Sequence, residues 1–119
     1  MYQDAIPKQY TMLYNAGALI IPLFKNKKNI LEAKNLSDLN GFASMWCVIE
    51  NIFLATTNED LGYALRIPFS NEIEYLREEL NIPKDYVISS YIAIGKKEEI
   101  SEIKQIEVSI EDKIHIDRW

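Results

Sequence analysis

ASMWCVIENIFLATTNEDLGYALRIPF, residues 43–69, is the stretch whose reading decides the fold. For about four turns it is apolar on nearly every side, interrupted only at Glu50-Asn51. It then breaks at Asn58-Glu59-Asp60 and passes Gly62 into the alternating segment Gly62–Ile67, which ends at Pro68. A helix that is hydrophobic all round belongs inside a large protein or a membrane. The run from Phe42 to Thr57 is too short to span a bilayer, and a chain of 119 residues can enclose only a modest core. The expectation is therefore a helix capped by Ser37 or Asp38, running to about Glu59 and stopped by Gly62. It needs more protein around it than this chain supplies.

Upstream, GALIIPLF (17–24) reads as a buried strand whose later part is put at an edge or bulge by Pro22. The first fifteen residues show no clear period, 25–29 reads as a polar turn, and 30–36 fits either a short helix or a loop. Downstream, Ser70 is placed to cap a helix over 71–81. Its Ile73, Leu76 and Leu80 form an apolar stripe, and Glu72, Glu74, Arg77, Glu78 and Glu79 form a wet face. Pro83 closes that helix, and YVISSYIAIG (86–95) is the clearest strand, β-branched and aromatic. The tail carries a one-turn helix signal at Ser109 and ends in Trp119. The order of strand, long helix, strand, helix, strand and tail predicts a single α+β domain over 1–119.

Composition excludes several classes of function. Eighteen acidic against thirteen basic residues give a net charge of −5, and no basic stripe is interleaved with aromatics, so nucleic acid is not the expected partner. Lys25-Asn26-Lys27-Lys28 reads as a solvated turn. One cysteine, Cys47, rules out an internal disulfide, and its apolar surroundings make it a small buried hydrophobe rather than a reactive thiol. His115 is the only histidine, flanked by Ile114 and Ile116 as on an outward-facing extended tail, so neither a metal cluster nor a histidine-based triad is expected. The pairs Glu78-Glu79 and Glu98-Glu99 read as solvated. The opening MYQDAIPKQY has no basic segment followed by an apolar one, which makes a soluble cytoplasmic protein the expectation, with no membrane partner.

A set of short motifs spans the chain from Trp46 to Trp119. They are Asn51-Ile52-Phe53-Leu54-Ala55, Asp60-Leu61-Gly62, Ile82-Pro83, Ile94-Gly95 and Ile114-His115 through to Trp119. In this order they resemble the carboxy-terminal half of the FMN-dependent nitroreductase family. The resemblance implies an FMN cofactor, NAD(P)H as electron donor, and a small nitroaromatic or quinone-like acceptor. No catalytic side chain is implied, since the flavin carries the chemistry and the protein positions it. By position, the backbone contacts to the flavin fall on Ala64, Leu65, Arg66 and Ile67, and a phosphate contact falls on Lys104. Read from the residues alone, 64–67 is sooner a core strand meeting a proline-bounded turn, and only the resemblance brings the flavin reading level with it. The resemblance further implies a nitroreductase-like half-domain in which the central buried helix packs on a mixed β-sheet. It also implies an intertwined homodimer, in which Trp46, Ile49, Phe53 and Leu54 face protein on more than one side and Trp119 anchors the tail.

The chain also departs from the family pattern. The arginine-rich element that grips the FMN phosphate has no counterpart, and the Gly-Tyr-Pro end of the last core strand is replaced by Gly95-Lys96-Lys97. A fragment or truncated relative is the corresponding expectation. A non-catalytic dimerisation or regulatory module built on the same core is the alternative, and an unrelated α+β binding module is a third.

Overall fold

The computed structural model describes residues 2–26, 29–98 and 106–119, the first five of these as backbone only. It opens with helix α1 (Tyr2–Tyr14), which contains Pro7. Strands β1 (Ala18–Ile20) and β2 (Leu23–Lys25) follow, then two 3-10 turns at Ile30–Glu32 and Leu36–Leu39. Helix α2 (Asn40–Asn58), strand β3 (Leu61–Arg66), helix α3 (Ser70–Glu79), and strands β4 (Tyr86–Ile88) and β5 (Tyr91–Lys96) complete the body. The expected α+β order holds, with a helix added at the start where the sequence shows no apolar period.

The strands form two sheets, a three-stranded one in the order β1-β5-β3 and a two-stranded one of β2 and β4. Every pairing is antiparallel among the described residues, which corrects the expected mixed sheet. The strands expected over 17–24 and 86–95 are each divided between the two sheets. Proline has no N–H to give to a ladder, so the chain leaves the first sheet at Pro22 and re-enters in the second. Opposite it the chain crosses at Ser89, whose amide and Oγ both donate to the Pro22 carbonyl, at 3.3 and 3.1 Å.

Helix α2 lies across both sheets. Its Met45 and Ile49 pack with Phe24 of β2 and Ile92 of β5 in one buried cluster, with Phe42, Trp46, Ile52, Phe53 and Leu65 around it. Buried Thr56 keeps its hydroxyl satisfied within the helix, donating to the Ile52 carbonyl at 2.7 Å. Only Met45, Ile49 and Thr56 of α2 are buried. Val48, Leu54 and Cys47 are exposed on this chain, so Cys47 lies outside the chain's own core and the chain by itself does not enclose the helix. The apolar sequence of α2 thus serves one inner face and leaves Cys47, Val48, Leu54 and Ala55 bare on an outer face shared with Glu50 and Asn51. Ile49, 1% exposed, sits at the centre of the cluster. Ile49→Ala is expected to cost about 2–5 kcal/mol, read as a lowered midpoint in urea unfolding at unchanged slope.

The helix boundaries differ from expectation for local reasons. The 3-10 turn before α2 is capped by Asn35, whose side chain accepts from the Asp38 amide, one turn ahead of the expected Ser37 or Asp38 cap. The reversal after α2 falls on Asp60, with φ of 55°, so Gly62 is left inside β3 rather than ending the helix. Asp tolerates the left-handed region because its short polar side chain bonds locally. Asn81, at φ 52°, does the same after α3. Phe69, not Ser70, is the residue before α3, and its amide donates to the Glu72 carboxylate at 2.7 Å.

The tail carries a single 3-10 turn at Glu111–Lys113. His115 is exposed, as expected, and lies against Trp119 with ring centroids 4.2 Å apart. Lys27, Lys28, Glu99 and Lys104, all named from the sequence, lie outside the described residues.

Candidate functional site

Register determines what each face of the three-stranded sheet presents. Opposite residues share a face, and the period along a strand is two. Tyr63 pairs with Ile94 and Leu65 with Ile92, and these turn toward α2, where Tyr63 stacks on Phe53 with centroids 4.2 Å apart. Gly62 pairs with Gly95, Ala64 with Ala93 and Arg66 with Tyr91 on the opposite face. That second face is nearly flat along two strands, because four of its six positions are glycine or alanine.

Helix α1 overhangs the flat face. Between them runs an open groove of about 910 Å3, walled by Lys8, Thr11 and Met12 of α1 and by Asn15 just after it. Its floor is Gly17, Gly62, Ala64, Ala93 and Gly95, and it ends on Lys96, Lys97 and Glu98. The size falls within the roughly 300–1,000 Å3 range of small-molecule sites. A Cβ built on Gly95 comes no nearer than 3.7 Å to Gly17, and one on Gly62 comes within 3.5 Å of the Lys97 Cα. The floor is thus a close backbone surface with room above it.

The opposite end of this face is plugged by a charged cluster. Arg66, 4% exposed, meets Glu72 of α3 through two parallel hydrogen bonds of 2.8 Å, and its Nε donates to Gln9 of α1 at 3.2 Å. The Tyr10 hydroxyl donates to the same carboxylate at 2.6 Å, and the rings of Tyr10, Phe69 and Tyr91 surround the guanidinium at 4.9–5.7 Å. Burial pushes the Glu72 pKa up. Arg66, Tyr10 and the Phe69 amide together outweigh it and hold the carboxyl at about 2, against an ordinary 4.5. Arg66 is shifted up, chiefly by its bond to Glu72. Such a bidentate, aromatic-flanked pair suits arginine and not lysine. It fastens α1 over the sheet through Gln9 and Tyr10.

The residues named from the sequence are therefore not one surface. Ala64 lines the groove, Leu65 faces α2, Arg66 is locked to Glu72, and Ile67 is exposed just beyond β3. Ala64, Leu65 and Arg66 belong to a strand rather than a loop, but β3 is an edge strand. Every second backbone amide along it is thus unpaired with the sheet. The wet face expected on α3 also loses two members. Glu72 turns inward, and Arg77 donates to the carbonyls of Pro83 and Tyr86 at 2.7 and 3.0 Å, holding the turn after the helix. Sequence reasoning missed the α1 wall altogether. The signal present was the small-residue parity of Gly62/Ala64 and Ala93/Gly95, legible only once the two strands are set in register. Among the described residues no group of acidic, histidine or cysteine side chains is placed to hold a metal ion, and no helix is long and apolar enough to cross a membrane.

With this geometry, the chain is similar to several solved structures, two of which follow. One is an FMN-dependent nitroreductase from Clostridium difficile R20291, at 23% identity and a TM-score of 0.57 over 88% of this chain. The other is a candidate NADH oxidase from Clostridium acetobutylicum, at 23% identity and a TM-score of 0.56 over 98% of this chain. The chain spans 60% of the length of the first and 70% of the second. No protein-family model and no curated protein matches the sequence. The chain has a nitroreductase-like fold, and at this identity the likeness extends to the fold alone.

Proposed function

We propose that this chain is the core of an FMN-dependent oxidoreductase, passing electrons from NAD(P)H to a nitroaromatic or quinone-like acceptor, with the flavin lying in the groove over Gly62, Ala64, Ala93 and Gly95. The flat glycine and alanine floor carries this reading, since a planar ring system needs a side-chain-free surface on which to lie. When bound, FMN supplies the redox chemistry. This chain's part is to hold the ring on the floor, to offer unpaired backbone amides along the edge of β3, and to exclude water with the Met12 side of α1. The fold it shares with a flavin enzyme supports the assignment, and the electrostatic setting suits it: preorganised donors stabilise developing charge best where they do not have to reorganise.

The test is titration of FMN with the purified protein, following quenching of flavin fluorescence. Saturable quenching is expected. Ala64→Phe, which sets a ring on the floor, is expected to abolish it while the thermal midpoint stays within a few degrees. Unaltered binding by Ala64→Phe would remove the groove as the flavin site.

The second reading, a non-catalytic module, draws on one observation: Arg66 and Arg77 are both committed to internal contacts and are not free for a phosphate. A protein that quenches no FMN at all would favour it. In either reading the chain works as a homodimer in the cytoplasm, its bare α2 face and exposed tail covered by a second copy. Lys104, outside the described residues, keeps its proposed part as a phosphate contact.

A further inference from the structure

We infer that Lys8 and Lys97 hold the flavin phosphate at the groove, an assignment that rests on the flavin reading above. The chain carries a net charge of −5, so cations gathered at one place are informative. Three cations among the described residues are engaged elsewhere. Arg66 pairs with Glu72, Arg77 binds backbone carbonyls, and Lys25 meets Asp85 at 3.0 Å. Lys8, Lys96 and Lys97 instead all line the groove. Among the described residues neither Lys8 nor Lys96 has a carboxylate within ion-pair distance, and Lys97 reaches only Asp60, at 3.6 Å with both side chains largely exposed.

Strand alternation separates the two neighbours. Lys96 pairs with Leu61 and shares the parity of Ile94 and Ile92, the α2 side. Lys97 follows Gly95 by two and springs from the rim of the floor, its Cα 3.5 Å from where a Gly62 Cβ would stand. Lys8 lies on the same stripe of α1 as Thr11 and Met12, the wall facing that floor, which Asn15 continues just past the helix. A planar ring on the glycine surface brings a pendant phosphate to these walls. Glu98 also lines the groove and opposes an anion there, so one lysine is insufficient. A dianion needs several charge-assisted donors, and two ammonium groups with Thr11 and Asn15 nearby provide them.

The experiment compares FMN with riboflavin, which has the same ring and no phosphate, by fluorescence quenching at low and high salt. The expected result is tighter binding of FMN, with the advantage shrinking as salt rises. Lys8→Gln and Lys97→Gln should each weaken FMN by roughly three- to tenfold and leave riboflavin unchanged. Retained riboflavin binding also shows that each variant is folded, and Lys34→Gln, away from the groove, should change neither ligand. Equal affinity for the two ligands, or an FMN preference that survives both substitutions, would overturn this assignment and leave the flavin reading standing. Failure to bind either ligand would overturn both.

Discussion

Replacing Glu72 with glutamine is expected to lower stability by about 3–5 kcal/mol, the usual cost of removing one partner of a buried pair. That is a large share of the roughly 5–15 kcal/mol that holds a small domain folded. It should appear as a drop of roughly 10–20 °C in the thermal midpoint. The reason lies in Arg66, whose side chain is 3% exposed and would keep its charge without a counter-ion. The carboxylate also takes the Tyr10 hydroxyl and the Phe69 amide, so α1, β3 and the start of α3 all loosen together. Acid should reproduce the loss in the wild type. The Glu72 carboxyl is at about 2 when folded and near 4.5 when unfolded, so its contribution is complete above about pH 4.5 and disappears as pH falls through 2. The difference corresponds to about 3 kcal/mol, and the E72Q variant should lose that part of the acid dependence. Arg66→Met combined with Glu72→Leu should recover most of the loss, because an apolar pair of similar volume avoids desolvating two charges. A glutamine variant as stable as the wild type would mean that water reaches and solvates Arg66.

How far the sequence could be read divides along one line: local chemistry was visible and inter-strand register was not. The stripe of Ile73 and Leu76 on α3, the strand at Tyr91–Lys96 and the existence of α2 follow from period and residue type alone. Gly62 looked like the end of α2 because glycine is the common left-handed residue. Asp60 holds that position instead, and Gly62 is used for flatness opposite Gly95. Glu72 and Arg77 looked wet because charge on a helix usually is. Their partners come from β3 and from the turn after Pro83, at distances along the chain that no helical period encodes. The groove is the extreme case. A slip of one residue between β3 and β5 would exchange its glycine floor for the Tyr63 and Leu65 face. Helix α1 escaped notice because Pro7 and scattered tyrosines blur its period, although Gln9 and Tyr10 tie it to the body.

Leu54→Glu is expected to convert the homodimer proposed above into a monomer in sedimentation equilibrium while leaving the monomer's fold intact. The single-chain structure gives the physical basis for both halves. Leu54 is 60% exposed and Val48 48% exposed, so a carboxylate at 54 costs the isolated chain little. Between two apolar helix faces the same carboxylate would be desolvated without a partner, at a cost of several kcal/mol. The exposed side of α2 sets Cys47, Val48, Leu54 and Ala55 beside Glu50 and Asn51, and large exposed apolar side chains grouped and rimmed by polar ones mark an interaction surface. The tail adds to it, with Ile106, Val108 and Ile110 alternating along an extended stretch and Ile114, Ile116 and Trp119 following, all exposed. A radius of gyration of 17.6 Å, against about 13–14 Å for a compact chain of this length, shows how much surface is held away from the body. Covering α2 and the tail with a second copy gives the kind of large apolar contact that obligate dimers share with protein cores. An unchanged mass for Leu54→Glu, with the wild type dimeric, would place the interface elsewhere. A monomeric wild type would leave the apolar outer face of α2 without the cover proposed for it.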